Sequence, residues 1–147
     1  MKLFALLLSL ILICTPAFAI QTEVDTIIAS TTLDADPVAV SSDAVYAGSL
    51  TGLSFLVTYD ETEVGGIAAA VTLQMSYDAS TWVAASFYDY AGGATLQTSE
   101  SFTTDTAAYV MWVNPDLAAP YYRVVVTATG SDADDTAIVT AKAALRG

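Results

Sequence analysis

The residues that could carry chemistry are few and mostly acidic. Tyr-Asp occurs three times, at Tyr59-Asp60, Tyr77-Asp78 and Tyr88-Asp89. Aspartate just after a strand-ending tyrosine starts a turn by accepting backbone N–H bonds. Three such aspartates brought to one edge would instead gather round a cation. A denser set is Asp132-Ala133-Asp134-Asp135. The expected reading is a solvated, charged hairpin tip with no cofactor. The alternative is calcium, since hard cations take oxygen ligands from a compact loop; Asp132, Asp134 and Asp135 are then the candidate metal ligands. The loop departs from the EF-hand pattern, with Thr136 and Ala137 where an Asp or Asn and a glycine are needed. Asp60-Glu61-Thr62-Glu63 is a second acidic tip.

Catalysis finds little support in these residues. The sequence has no histidine and one cysteine, Cys14. Serine–histidine and cysteine–histidine nucleophiles are therefore excluded, as are the usual zinc sites. Two carboxylates can hydrolyse a glycosidic bond. Here most acids sit beside turn signals, where exposure keeps a carboxyl at its ordinary pKa and makes it a poor general acid. The expectation is a protein that is not an enzyme.

The aromatics offer binding in place of catalysis. A ring gives the apolar side of a sugar a flat face, with a polar tip at the rim. Trp82 follows a turn, and Tyr121 falls on the face opposite Tyr122, Val124 and Val126. Trp82, Tyr90 and Tyr121 are thus the candidate ligand-binding platform. Trp112 lies in a strand apolar on both sides and is expected in the core.

The chain that positions these groups has 147 residues, 54% of them apolar and 14% charged. That suits one domain and argues against disorder. Its start reads as a secretory signal peptide: Lys2, an apolar run from Leu3 to Ile13, Pro16, then Ala17-Phe18-Ala19. Cleavage after Ala19 is expected. A lipoprotein anchored at Cys14 is the competing reading, against which Ile13 stands where a small residue is normal. The run is too short to span a bilayer. After cleavage the chain keeps three bases (Arg123, Lys142, Arg146) against 16 acids, a net charge of −13, and no cysteine. A secreted or periplasmic protein without disulfides is expected, with no affinity for nucleic acid or, once cleaved, for membrane.

Strand signals fill the remainder. Val71, Leu73, Met75 and Tyr77 alternate with Thr72, Gln74 and Ser76; Leu53, Phe55, Val57 and Tyr59 line one face of a second strand, and Tyr122, Val124, Val126 and Ala128 one face of a third, with Arg123, Val125 and Thr127 opposite. These three strands should bury those faces. Tyr109 to Val113 should be a central strand covered on both sides. Thr22–Leu33 and Thr136–Leu145 are first and last strands, and Val38–Tyr46, Val83–Tyr90 and Thr95–Phe102 are weaker ones. Asp36-Pro37, Gly65-Gly66, Gly92-Gly93, Asn114-Pro115 and Gly130-Ser131-Asp132 mark turns. The pattern predicts an all-β fold: a single antiparallel β-sandwich, jelly-roll or Ig-like, of eight to nine strands. Residues 1–19 are the signal peptide, 20–41 an N-terminal arm or first strand, and 42–147 the sandwich.

One run is more specific than the rest: Ser76-Tyr77-Asp78-Ala79-Ser80-Thr81-Trp82. It resembles a strand–turn–tryptophan hairpin of discoidin-like and carbohydrate-binding sandwiches, and of bacteriophage virion proteins. Ala79 stands where glycine is usual in that hairpin. From Ser49 to Arg146 the chain looks similar to small phage structural proteins, through Phe55–Glu61, Ser76–Trp82, Ser86–Asp89 and Pro120–Val124. A signal peptide is unusual in such proteins. The resemblance implies an exported structural protein that self-associates or decorates a larger particle, such as a virion or extracellular fibre. Its partner would be itself or a larger assembly, with residues 22–40 adding a strand to a neighbour's open sheet edge. The alternative is a secreted carbohydrate-binding module, calcium-assisted, whose partner is a glycan.

Overall fold

The structure, a computed structural model, describes residues 22–34, 39–61, 67–89, 95–102, 106–113, 118–129 and 136–147. The expected signal peptide and the five turn signals after it lie outside these residues. So do Tyr90, Asp132, Asp134 and Asp135.

Residues that favour a pleated backbone dominate the chain, and the described residues form strands without a helix. There are twelve: β1 (Thr22–Asp34), β2 (Ala39–Ser41), β3 (Val45–Tyr46), β4 (Gly52–Glu61), β5 (Ala68–Ser76), β6 (Val83–Ala85), β7 (Phe87–Asp89), β8 (Leu96–Gln97), β9 (Ser99–Phe102), β10 (Thr106–Val113), β11 (Tyr121–Thr129) and β12 (Thr136–Arg146). They build an antiparallel β-sandwich. The first sheet runs β1-β12-β4-β10-β7-β8. The second runs β2-β11-β5-β6, with β3 also on β11 and β9 also on β5.

The count exceeds eight or nine because three weaker segments each split in two. Val83–Tyr90 breaks at Ser86, and its halves pair in different sheets: β6 with β5, β7 with β10. Thr95–Phe102 breaks at Thr98 in the same way, β8 joining β7 and β9 joining β5. Val38–Tyr46 breaks around Ser42, which stays on β11. Its backbone N–H donates to Val124 O (2.8 Å), and its Oγ accepts from Val124 N–H (3.0 Å).

The core lies between the sheets and follows the period of two. Leu53, Phe55, Val57 and Tyr59 of β4 are buried, as are Val71 and Leu73 of β5 and Tyr122, Val124, Val126 and Ala128 of β11. The Tyr59 hydroxyl donates to Ile67 O (2.5 Å), so its polar end is satisfied. Small residues of β12 (Ala137, Ala141, Ala143) let large ones from β4 fill the layer.

Two expectations fail, for stated reasons. Tyr109, Met111 and Val113 face the core, but Trp112 is 50% exposed. Strand β10 is central in its sheet, yet its second face looks away from the sandwich, and among the described residues no further layer covers it. The alternation of β5, extended by one residue, turns Tyr77 inward, but Tyr77 is 72% exposed. The strand ends at Ser76, where the turn begins, and the Tyr77 hydroxyl reaches out to Ala118 O (2.7 Å).

Strand β1 pairs with β12 of its own chain, from Thr22↔Arg146 to Asp34↔Thr136, with shifts in register between Thr26 and Thr31. It buries Ile27, Ile28 and Leu33. A segment holding three core residues is part of the fold. Deleting residues 20–40 would remove these three side chains from the core.

Candidate functional site

The Ser76–Trp82 hairpin is held by one carboxylate. Asp78 accepts from the N–H groups of Ser80 (2.9 Å) and Thr81 (2.7 Å) and from the hydroxyls of Ser76 (2.9 Å) and Thr81 (3.2 Å). Bonds from the Thr81 and Ser80 backbone, then from the Ser80 and Ser76 side chains, hold its carboxyl well below the ordinary range. Asp78 is thus a turn residue here, as turn chemistry predicts. Ala79 takes positive φ (58°), a conformation that costs an L-residue strain and a glycine none.

This turn sets Trp82 on the outer face of the second sheet. Register places Tyr46, Tyr121 and Ser76 in one row across β3, β11 and β5, and Arg123, Gln74 and Ala84 in the next. The Arg123 guanidinium lies over the Trp82 ring, 4.3 Å from its centroid. Its Nε donates to Gln74 Oε1 (2.8 Å). Tyr121 tilts against Tyr46, with centroids 5.3 Å apart and planes at 58°. Cation and aromatics therefore form one surface, which can stack on a flat ligand or donate from the guanidinium to an anion.

Of the sequence-expected platform, Trp82 and Tyr121 fall on this face, and both are half-buried. Arg123 and Tyr46 belong to it too. Arg123 was legible, since alternation puts it on the face of Tyr121. Tyr46 was not, because its neighbour is set by pairing across strands. Tyr88 of the third Tyr-Asp pair points out of the first sheet opposite Trp112.

The outer face of the first sheet carries a second feature. Leu96, Tyr88, Trp112, Ser54, Ala144 and Val24 pair successively across β8, β7, β10, β4, β12 and β1. Leu96, Trp112 and Val24 are 58%, 50% and 59% exposed. Beside this row Lys142 pairs with Leu56, and Arg146 pairs with Gly52. Thr58 and Thr140 hydrogen-bond to each other on the same face.

Two open clefts are lined by the described residues. One, about 340 Å³, is lined by Met75, Ala85, Tyr88, Leu96, Val113 and Tyr122. The other, about 380 Å³, has Asp25, Asp43 and Tyr46 among its walls. Among the described residues no three acidic, cysteine or histidine side chains cluster as a metal site would require.

The chain matches no family model and no curated protein. It is similar in fold to solved structures. One is the SPBc2 prophage-derived protein YomS, with a TM-score of 0.55 and 12% identity, over 86% of this chain and 94% of that one. Another is a chain in the structure of infectious bursal disease virus, Gx strain, with a TM-score of 0.52 and 11% identity over 86% of this chain. The match spans only 32% of the viral chain. At these identities the likeness is one of fold.

Proposed function

We propose that this chain is an exported, non-enzymatic structural protein that associates with copies of itself through the outer face of its first sheet. The carrying observation is Trp112 exposed at the middle of a row that also exposes Leu96 and Val24, with half-buried Tyr88, Ser54 and Ala144 between them. Contiguous exposed apolar surface on a folded domain marks an interaction site more often than a lone exposed residue does. The similarity in fold to a prophage protein and to part of a virus structure supports the same reading. Sugar binding at Trp82 has less support, because Arg123 occupies a face of that ring.

Light scattering over a range of concentrations tests the proposal. A defined oligomer or a growing filament is expected. Trp112→Ser should weaken association by about thirtyfold, the effect of losing an anchor worth about 2 kcal/mol, with the circular dichroism unchanged. A wild-type chain that is monomeric at every concentration removes self-association. Cosedimentation with phage particles would then decide whether the protein decorates one.

A further inference from the structure

Arg123 is a cation among neutral neighbours on the outer face of the second sheet. It shares its row with Gln74 and Ala84. The next row on that face is Ser41, Val125, Thr72 and Ser99. In a chain of 16 acids and four bases, Arg123 makes no ion pair among the described residues.

The guanidinium is also fixed in place. One flat side lies on Trp82, and Nε is taken up by Gln74. The two terminal nitrogens have no partner among the described residues and are not buried. They form a fork of N–H donors that a carboxylate fills with two hydrogen bonds. Holding a long side chain in its binding geometry beforehand removes an entropy cost that a loose surface arginine meets on binding.

Beside the fork stand two rings. Tyr121 is two residues back along β11 on the same face, a spacing of about 7 Å. It tilts against Tyr46, with centroids 5.3 Å apart. Tyr46 is 57% exposed, yet its place is defined. The end of its ring lies over Gly48, where a Cβ would come within 2.5 Å of Tyr46 Oη. This ring position therefore requires a residue without a side chain at 48. The rings offer an apolar face with polar tips, next to a donor fork. Asp25 and Asp43 share a cleft with Tyr46, so a ligand's negative end belongs at Arg123 and its neutral part at the tyrosines.

We propose that Arg123, Tyr121 and Tyr46 bind a uronate residue of an acidic glycan, with its carboxylate on the arginine fork and its ring against the tyrosines. Trp82 and Gln74 position the arginine, and Gly48 makes room for Tyr46. An acidic side chain of a peptide would fill the fork but leave the tyrosines unused. The site is on the sheet opposite Trp112, so it stands or falls separately from self-association.

NMR titration of the purified protein tests the assignment, with the Arg123 side-chain N–H and the Trp82 indole N–H as reporters. Sodium glucuronate should shift both saturably, with a Kd of about 1 mM, as suits so small a ligand on an open face. Glucose lacks the carboxylate and acetate lacks the ring, so each should bind about tenfold more weakly or worse. Arg123→Lys keeps the charge and loses the fork; it should weaken glucuronate by about tenfold, read at Trp82. Tyr46→Ala and Gly48→Ala change exposed positions. Both should weaken glucuronate about threefold and leave acetate unchanged. No saturable shift up to about 50 mM glucuronate overturns the proposal. So does glucose or acetate binding as tightly as glucuronate. Arg123 signals that move on dilution without any ligand also overturn it, by giving this face to a second copy.

Discussion

Ala79 and its neighbour Asp78 show how a single position sets a surface. The left-handed backbone at Ala79 costs an L-residue about 1–2 kcal/mol, part of which a glycine would give back through its freer unfolded chain. Ala79→Gly should therefore stabilise the protein by about 0.5–1 kcal/mol, read as a higher urea midpoint at unchanged slope. Asp78 predicts a pH effect of definite sign. Its folded pKa is depressed from 3.8, so its contribution is present above that value and is lost as the pH falls below it. Melting temperatures between about pH 2 and pH 7 should fall less steeply on the acid side for Asp78→Asn than for the wild type. Both residues were legible in the sequence, as a turn aspartate and as an alanine in a glycine's place. Trp112 was not. An apolar residue in a doubly apolar strand reads the same whether a second layer or open solvent lies beyond it.

At the level of strands, β4, β5 and β11, each with an apolar residue at every second position, lie where the sequence predicts them. The buried face of β5 stops short of Tyr77, because the turn claims that residue. The weaker segments are hard to read from the sequence for one reason. A broken alternation signals that a strand leaves its sheet, but only pairing partners show where it goes. At Ser86 and Thr98 the chain passes from one sheet to the other. These crossings bring Asp89 and Glu100 from opposite sheets to Tyr109. Nothing in the spacing of residues 89, 100 and 109 announces that meeting. Strand β1 makes the same point about burial. Leu33 is wholly buried, so Leu33→Ala should cost about 2–5 kcal/mol in chemical denaturation. A cost within a few tenths of a kcal/mol would restore β1 as a dispensable arm.

For the molecule as a whole, charge sets the terms of association. The sequence carries a net charge of −12, so copies repel one another at long range. Lys142 and Arg146 sit on the face that also bears Trp112, which lessens the repulsion there. Salt shortens the reach of that repulsion from about 10 Å at 0.1 M to about 3 Å at 1 M. Association in the light-scattering experiment should accordingly strengthen with added salt, the opposite of assembly driven by ion pairs. The pairing Thr22↔Arg146 has a mechanical consequence. Both ends of the sandwich leave from one corner, side by side on antiparallel strands. A load applied between them would peel β1 from β12 one hydrogen bond at a time, like a zipper, instead of shearing the whole ladder at once. A copy tethered at both ends would yield at low force, whereas one gripped across the face of its sheet would hold.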